Sequence, residues 1–224
     1  MKALTIDTAA ECIFIAAKNG SNTVTLRLDI GMKQAEKLLP AIDYVMTQAG
    51  LKADELDYTA LTIGPGSFTG LRLGFSALKA INLAHDVPIY GVQTLDAHAY
   101  FCANFSETVI SVIDAKKDRF YGAVYSHGKR ISEPFDEEPQ DILKKIDHED
   151  TFFVSGPDAK IFCSVMQEIA PAVSFRAYES RAVTTDALFA LAEEQIARNE
   201  PPLQDYDGPF YIRKSEAEER LSKN

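Results

Sequence analysis

The run Gly64-Pro65-Gly66-Ser67-Phe68-Thr69-Gly70-Leu71-Arg72-Leu73-Gly74 is the densest group of residues in this chain whose types and spacing could do chemistry. Glycine lets a backbone turn sharply and approach another group closely. Successive N–H groups at a helix start can bind an anion. Gly64, Gly66, Ser67, Thr69, Gly70 and Arg72 are therefore candidate contacts for an anion or a nucleotide. The same residues suit a tight turn with close helix packing, and turn chemistry alone leaves both readings open. Arg72 tips the balance toward the first. A cation in the first helical turn opposes the helix dipole by about 0.3–1 kcal/mol, so it asks for a carboxylate or anion partner. The run is not a Walker A loop, because GxxxxGKS/T is absent. Ser67 does not sit in a GxSxG elbow, so no serine triad is arguable.

Other chemistry-bearing residues are sparse. His85, His98, His127 and His148 include no pair three or four residues apart, as a metal site on one helix face requires. His85 and His98 read as ordinary helix-end or half-buried residues. Cys12, Cys102 and Cys163 form neither a CxxC nor a disulfide framework, which fits a reducing compartment. Asp7 and Asp114 each end an apolar strand and could hold Mg²⁺, although Asp more commonly stabilises a turn. Lys116, Lys117 and Arg119 are a small basic cluster, read as a solvated turn with a weak tRNA or nucleotide contact as the alternative. No catalytic residue, metal site or cofactor is assigned.

The elements that must position these residues alternate between strand and helix. Ala3–Ile6, Cys12–Ala17 and Thr23–Leu28 read as strands, the last two joined by a hairpin at Asn19-Gly20. Apolar residues at helical spacing predict a helix over Lys33–Ala49, with Pro40 causing a kink or a late start. A strand at Tyr58–Ile63, a helix at Gly70–Ala84, a strand at Ile89–Val92 and a helix from Thr94 follow. The pattern then restarts with strands at Val109–Ile113, Phe120–Tyr125 and Lys129–Phe135. After them come a helix at Pro139–Ile146, a strand at Thr151–Ser155 and a helix at Asp158–Ala170. Ile6-Asp7 matches Ile113-Asp114, and Gly64-Pro65 matches Gly156-Pro157. Each half thus reads ββ(β)αβα, which predicts duplicated lobes rather than a solenoid. Chance alternation is the plainer reading. Duplication implies an α/β protein of the two-lobed actin, Hsp70 and sugar-kinase superfold. The expected domains are 1–104, with the partner-binding helices, and a smaller second lobe, 105–183. A helix over 184–199, capped by Thr, completes the first lobe, and 200–224 is a tail with a frayed end.

Kinases of that superfold reach phosphates with glycine-bearing turns. Here the turns Asp7-Thr8-Ala9-Ala10-Glu11 and Asp114-Ala115-Lys116-Lys117-Asp118 hold no glycine, so side chains would keep phosphates from the backbone N–H groups. The formal charge of -10, from 23 basic and 33 acidic residues, disfavours nucleic acid binding by the chain alone. No run approaches the roughly 20 apolar residues of a membrane span, and the apolar N-terminal run is broken at Asp7, too early for a signal peptide. A cytoplasmic protein is expected.

With Ala3-Leu4-Thr5-Ile6-Asp7-Thr8-Ala9, the GPGSFTGLRLG run resembles the bacterial TsaB (YeaZ) family. Glu36-Lys37-Leu38-Leu39-Pro40, Val92-Gln93-Thr94-Leu95, Ile113-Asp114-Ala115 and the tail residues Pro209, Tyr211 and Arg213 extend the likeness over nearly the whole chain. The resemblance implies a non-catalytic paralogue of TsaD, the metal-bearing subunit that completes threonylcarbamoyladenosine in tRNA. It further implies a TsaD heterodimer joined by the ATPase TsaE, a homodimer in isolation, and tRNA contact only through the complex. Gln34 stands where many members keep a histidine. The family's partner surface maps to the helices Lys33–Ala49 and Gly70–Ala84, naming Leu38, Ile42, Leu73, Ala77, Ala80 and Ala84. The second of these helices is apolar nearly all round, and such a helix is expected to be buried on every side. The competing function classes are a small-molecule kinase or ATPase of the same superfold and a glycoprotease-like metallohydrolase.

Overall fold

A computed structural model describes residues 1–105, 107–146, 150–178 and 183–213. His148 and the tail Lys214–Asn224 lie outside the described residues. The chain divides into two compact units. One takes in the described residues of Met1–Ala97 and Ala182–Phe210; the other, those of His98–Arg181 and Tyr211–Asn224. The division falls at Ala97, ahead of the expected 104–108 boundary. Among the described residues no helix is long and apolar enough to cross a membrane.

The first unit runs β1 (Lys2–Asp7), β2 (Cys12–Asn19), β3 (Asn22–Asp29), α1 (Gln34–Ala49), β4 (Tyr58–Gly64), α2 (Phe68–His85) and β5 (Ile89–Gln93). Its sheet order is β3-β2-β1-β4-β5, antiparallel in the β1–β3 meander and parallel across β1, β4 and β5. The β2–β3 turn is Gly20-Ser21, one residue later than expected, because Asn19 still pairs with Asn22 and Gly20 takes the positive φ of 61°. Helix α1 continues through Pro40. Pro40 and Glu36, whose carbonyl loses its partner, both face solvent, where water replaces the bond. Gly50 ends the helix at φ 67°, its N–H returning to Met46 O and Thr47 O.

The second unit repeats this plan. After α3 (Thr94–Ala99) come β6 (Val109–Lys116), β7 (Arg119–Ser126), β8 (Lys129–Arg130), β9 (Phe135–Glu137), α4 (Pro139–Lys145), β10 (Thr151–Ser155), α5 (Ala159–Ile169) and β11 (Ser174–Ala177). The order β11-β10-β6-β7-β8 is the first sheet's order again, with β9 also on β7. Two readings need correction. The expected strand Lys129–Phe135 is broken into β8 and β9. Ser132 Oγ accepts the Val124 N–H at 2.9 Å in place of a ladder bond, and Pro134 has no N–H to give. Strand β11 was not foreseen; its four residues are too few to show a period.

The chain then returns to the first unit as α6 (Thr184–Ala197). Its cap is Val183 rather than a threonine; Asp186 carboxylate accepts the Val183 N–H at 3.4 Å. Phe189, Ala192 and Ile196 pack on Ala3, Ala16, Tyr58, Ala60 and Tyr90, one face of the sheet. The other face, with Leu4, Ile6, Ile15 and Leu61, packs against α1 and α2. Glu193 fixes α6 by accepting from Tyr58 Oη at 3.0 Å and Lys18 Nζ at 2.6 Å. Residues 199–210 then cover the outer edge of β5. Leu203 N donates to Ile89 O at 2.8 Å, and Lys79 Nζ reaches Asp205 O and Asp207 O at 2.7 and 2.6 Å. An edge strand closed in this way cannot pair with a stranger.

Candidate functional site

The glycines of the GPGSFTG run sit where backbone meets backbone. Added side chains at Gly66 and Gly74 would stand 2.5 Å from Ala9 O and 2.7 Å from Thr8 Oγ1, and one at Gly70 would run into Thr8 O. Gly64 has φ 123° and faces Phe210 O. Ser67 N donates to Ala9 O at 2.7 Å, and Ser67 Oγ caps α2 by accepting the Gly70 N–H at 3.2 Å. The start of α2 therefore lies directly on residues 8–9, at the end of β1. Thr69 and Arg72 point outward, and the Arg72 guanidinium lies 3.9 Å over the Phe68 ring. Asp7 is buried. Its Oδ1 accepts from Ala9 N at 3.0 Å and from Thr62 Oγ1 at 2.9 Å, so it fastens its own turn. Gln34 closes the other side, its Nε2 donating to Ala10 O at 2.8 Å and Glu11 O at 2.9 Å.

The second unit has a matching arrangement. Asp114 Oδ1 accepts from Lys116 N at 2.7 Å, the same two-residue step as in Asp7. Asp158, next after Gly156-Pro157, accepts the Asp114 N–H at 2.8 Å. Lys116, Lys117 and Asp118 all lie near φ 60°, a region that costs residues with a side chain roughly 1–2 kcal/mol each. This turn has a glycine-type backbone without glycine. Of the basic cluster, Lys116 pairs with Asp114 at 3.0 Å and Arg119 Nε with Asp136 at 2.8 Å. Sequence reasoning missed Asp136, a largely covered carboxylate held also by Arg213. Arg213 Nε meets its Oδ2 at 2.8 Å, and Arg213 Nη2 its Oδ1 at 2.9 Å. The signal available was Arg213 itself, a tail residue matched without a partner. A cavity of about 550 Å³ opens beside this clamp, lined among others by Phe135, Lys145 and Ile212.

The six residues expected at a partner surface divide. Leu38, Ile42 and Ala77 belong to the core of the first unit, and Leu73 is half-buried against it. Ala80 and Ala84 are exposed. Helix α2 is thus not buried on every side: Arg72, Ser76, Ala80 and Ala84 are exposed, and Leu83 is left 89% exposed. Leu39 and Tyr44 on α1 are exposed as well.

Burial raises the Cys102 thiol to about 12 and the Cys163 thiol to about 11. Cys12 is raised too, by burial first, with Arg27 opposing the rise. An unfolded thiol ionises near 9, so above that pH the unfolded chain releases protons that the fold retains. Stability from these groups is therefore complete below about pH 9 and falls as the pH climbs toward about 11–12. Thermal melts between pH 7 and 11 should show this fall, and a Cys102→Ala, Cys163→Ala double variant should show a shallower one. An unchanged slope would refute the assignment to the thiols.

A model of the family described as TsaD, tRNA N6-adenosine threonylcarbamoyltransferase, matches residues 32–220. The chain belongs to the TsaD family. Over 128 residues it is 31% identical to the Escherichia coli K12 protein named tRNA threonylcarbamoyladenosine biosynthesis protein TsaB, a stretch that is 56% of this chain and 55% of that one. The match thus spans a little over half the length of the curated relative. Among solved structures, YeaZ from Pseudomonas aeruginosa aligns at a TM-score of 0.76 and 23% identity, over 94% of this chain and 99% of that one. A Bacteroides thetaiotaomicron protein with an actin-like ATPase fold aligns at 0.51 and 8% identity, over 84% and 95%. The TsaB resemblance and the two-lobed actin-like class read from the sequence are both borne out.

The TsaB resemblance implies kinship with a metal-bearing subunit. Among the described residues no three His, Cys, Asp or Glu side chains gather to hold an ion. Gln34, which stands where many TsaB chains keep a histidine, spends its amide on two loop carbonyls. The described residues do not fit a metal.

Proposed function

We propose that this TsaD-family chain is a non-catalytic, cytoplasmic subunit of the assembly that makes threonylcarbamoyladenosine in tRNA. It binds a TsaD-type catalytic subunit through the outer flanks of α1 and α2, is joined by TsaE, and meets tRNA only within that assembly. Alone, it pairs with a second copy through the same helices. The names of its relatives support the pathway. The observation that carries the partner reading is the exposure of three large apolar side chains on these two helices, Leu39 and Tyr44 on α1 and Leu83 on α2. Exposed apolar area is what a protein partner would cover.

Leu83→Arg with Ala80→Arg should abolish co-purification with TsaD and self-association by light scattering, and leave the melting curve near that of the parent, since both sites are exposed. Ala77→Arg should instead unfold the chain, because Ala77 is core. A folded double variant that still binds TsaD would defeat the surface assignment. The purified chain is expected to turn over ATP far below the roughly 1–10³ s⁻¹ of enzymes; activity in that range would return the kinase reading.

A further inference from the structure

The second sheet carries a row of small side chains on the face opposite α4 and α5. Ser155 on β10 stands beside Ser111 on β6, and Ser111 beside Ala123 on β7. Residues two apart along a strand share a face, so larger side chains flank this row. Phe153, Val109 and Tyr125 lie on one side, and Ile113 and Tyr121 on the other. All three small residues are buried to 1% exposure or less. Among the described residues neither Ser111 Oγ nor Ser155 Oγ has a hydrogen-bond partner.

Two orphan hydroxyls side by side in a dry core are costly, since each gives up its hydrogen bonds to water on folding. Neighbouring strands are about 4.8 Å apart, a spacing across which one oxygen atom can reach both hydroxyls. A buried water typically makes about 2–4 hydrogen bonds to polar groups of this kind. We infer that the small side chains of this row leave room for one water molecule, which bridges Ser111 Oγ and Ser155 Oγ. It ties the end of β10, immediately before the Gly156-Pro157 turn, to the centre of β6.

High-resolution crystals of the full chain should show a solvent peak within hydrogen-bond reach of both hydroxyls. In solution, Ser111→Ala and Ser155→Ala should each lower the melting temperature by about 2–4 °C. The double variant should lose less than the sum, because either change strands the same water. The inference is overturned if the crystals show the two hydroxyls bonded directly to each other with no solvent between. It is equally overturned if either alanine variant melts at or above the parent temperature, since removing a truly unpartnered hydroxyl relieves its cost.

Discussion

Replacing Gly70 by alanine is expected to destabilise the first unit by about 2–4 kcal/mol, against the usual preference of helices for alanine by about 1 kcal/mol. Gly70 lies in the first turn of α2, where a helix scale alone recommends the change. The added methyl group would collide with the Thr8 carbonyl, and the Gln34 amide oxygen lies 3.3 Å away on another side. Thr8 O is backbone, following the buried Asp7, which is itself bonded to Ala9 N and Thr62 Oγ1. The clash therefore cannot be relieved by a rotamer change. It must push α2 off the end of β1 or bend β1. The melting temperature should fall by roughly 4–16 °C at the size of this chain. Gly208→Ala is the control, because nothing lies within 4 Å of its added carbon. A Gly70→Ala variant as stable as the parent would show that helix and loop do not meet as described.

Asp136→Ala should cost about 2–4 kcal/mol, which is large for a residue on a three-residue strand. Its carboxylate is only 11% exposed and receives Arg119 and both arms of the Arg213 guanidinium. Removal leaves two half-buried cations facing each other across a lost anion, so repulsion adds to the missing bonds. Both arginines retain some solvent, which places the cost below that of a fully buried pair. Hydrogen exchange should report faster amide exchange at Ile212 and Arg213 and at the Lys116–Arg119 turn. The Asp136→Asn variant should recover part of the loss, since an amide oxygen still accepts from one guanidinium. Unchanged exchange at residues 212–213 would mean that the clamp does not hold the tail.

Much of the fold was legible because its elements are long and periodic. The 16-residue α1 and the 18-residue α2 carry their apolar residues at helical spacing, and the restart at Val109 exposed the duplication. What was hidden is short or depends on distant residues. Strand β11 has four residues, and the β8–β9 break arises from a serine hydroxyl taking a backbone bond. At the candidate site, the sequence located the glycines but left their purpose open, because an anion cradle and close backbone packing both demand glycine. The contacts with Thr8 and Ala9 supply a packing reason for Gly66, Gly70 and Gly74. Asp136 was invisible for a different reason: its arginine lies 77 positions away, and no local spacing records such a pair. Ala77 read as surface because small residues suit helix contacts of either kind; only its neighbours in the core distinguish them.

The return of α6 to the first unit bears on the order of synthesis. The face of the first sheet formed by Ala3, Tyr58, Ala60 and Tyr90 is complete once β5 has been made, but its cover is residues 184–197. Roughly 100 further residues must be translated in between, taking about 5–20 s at ordinary elongation rates. Throughout that interval a ribosome-bound chain has an apolar sheet face and no helix of its own to put on it. The N-terminal unit, first to be translated, is therefore covered only after the strands of the second unit have been made.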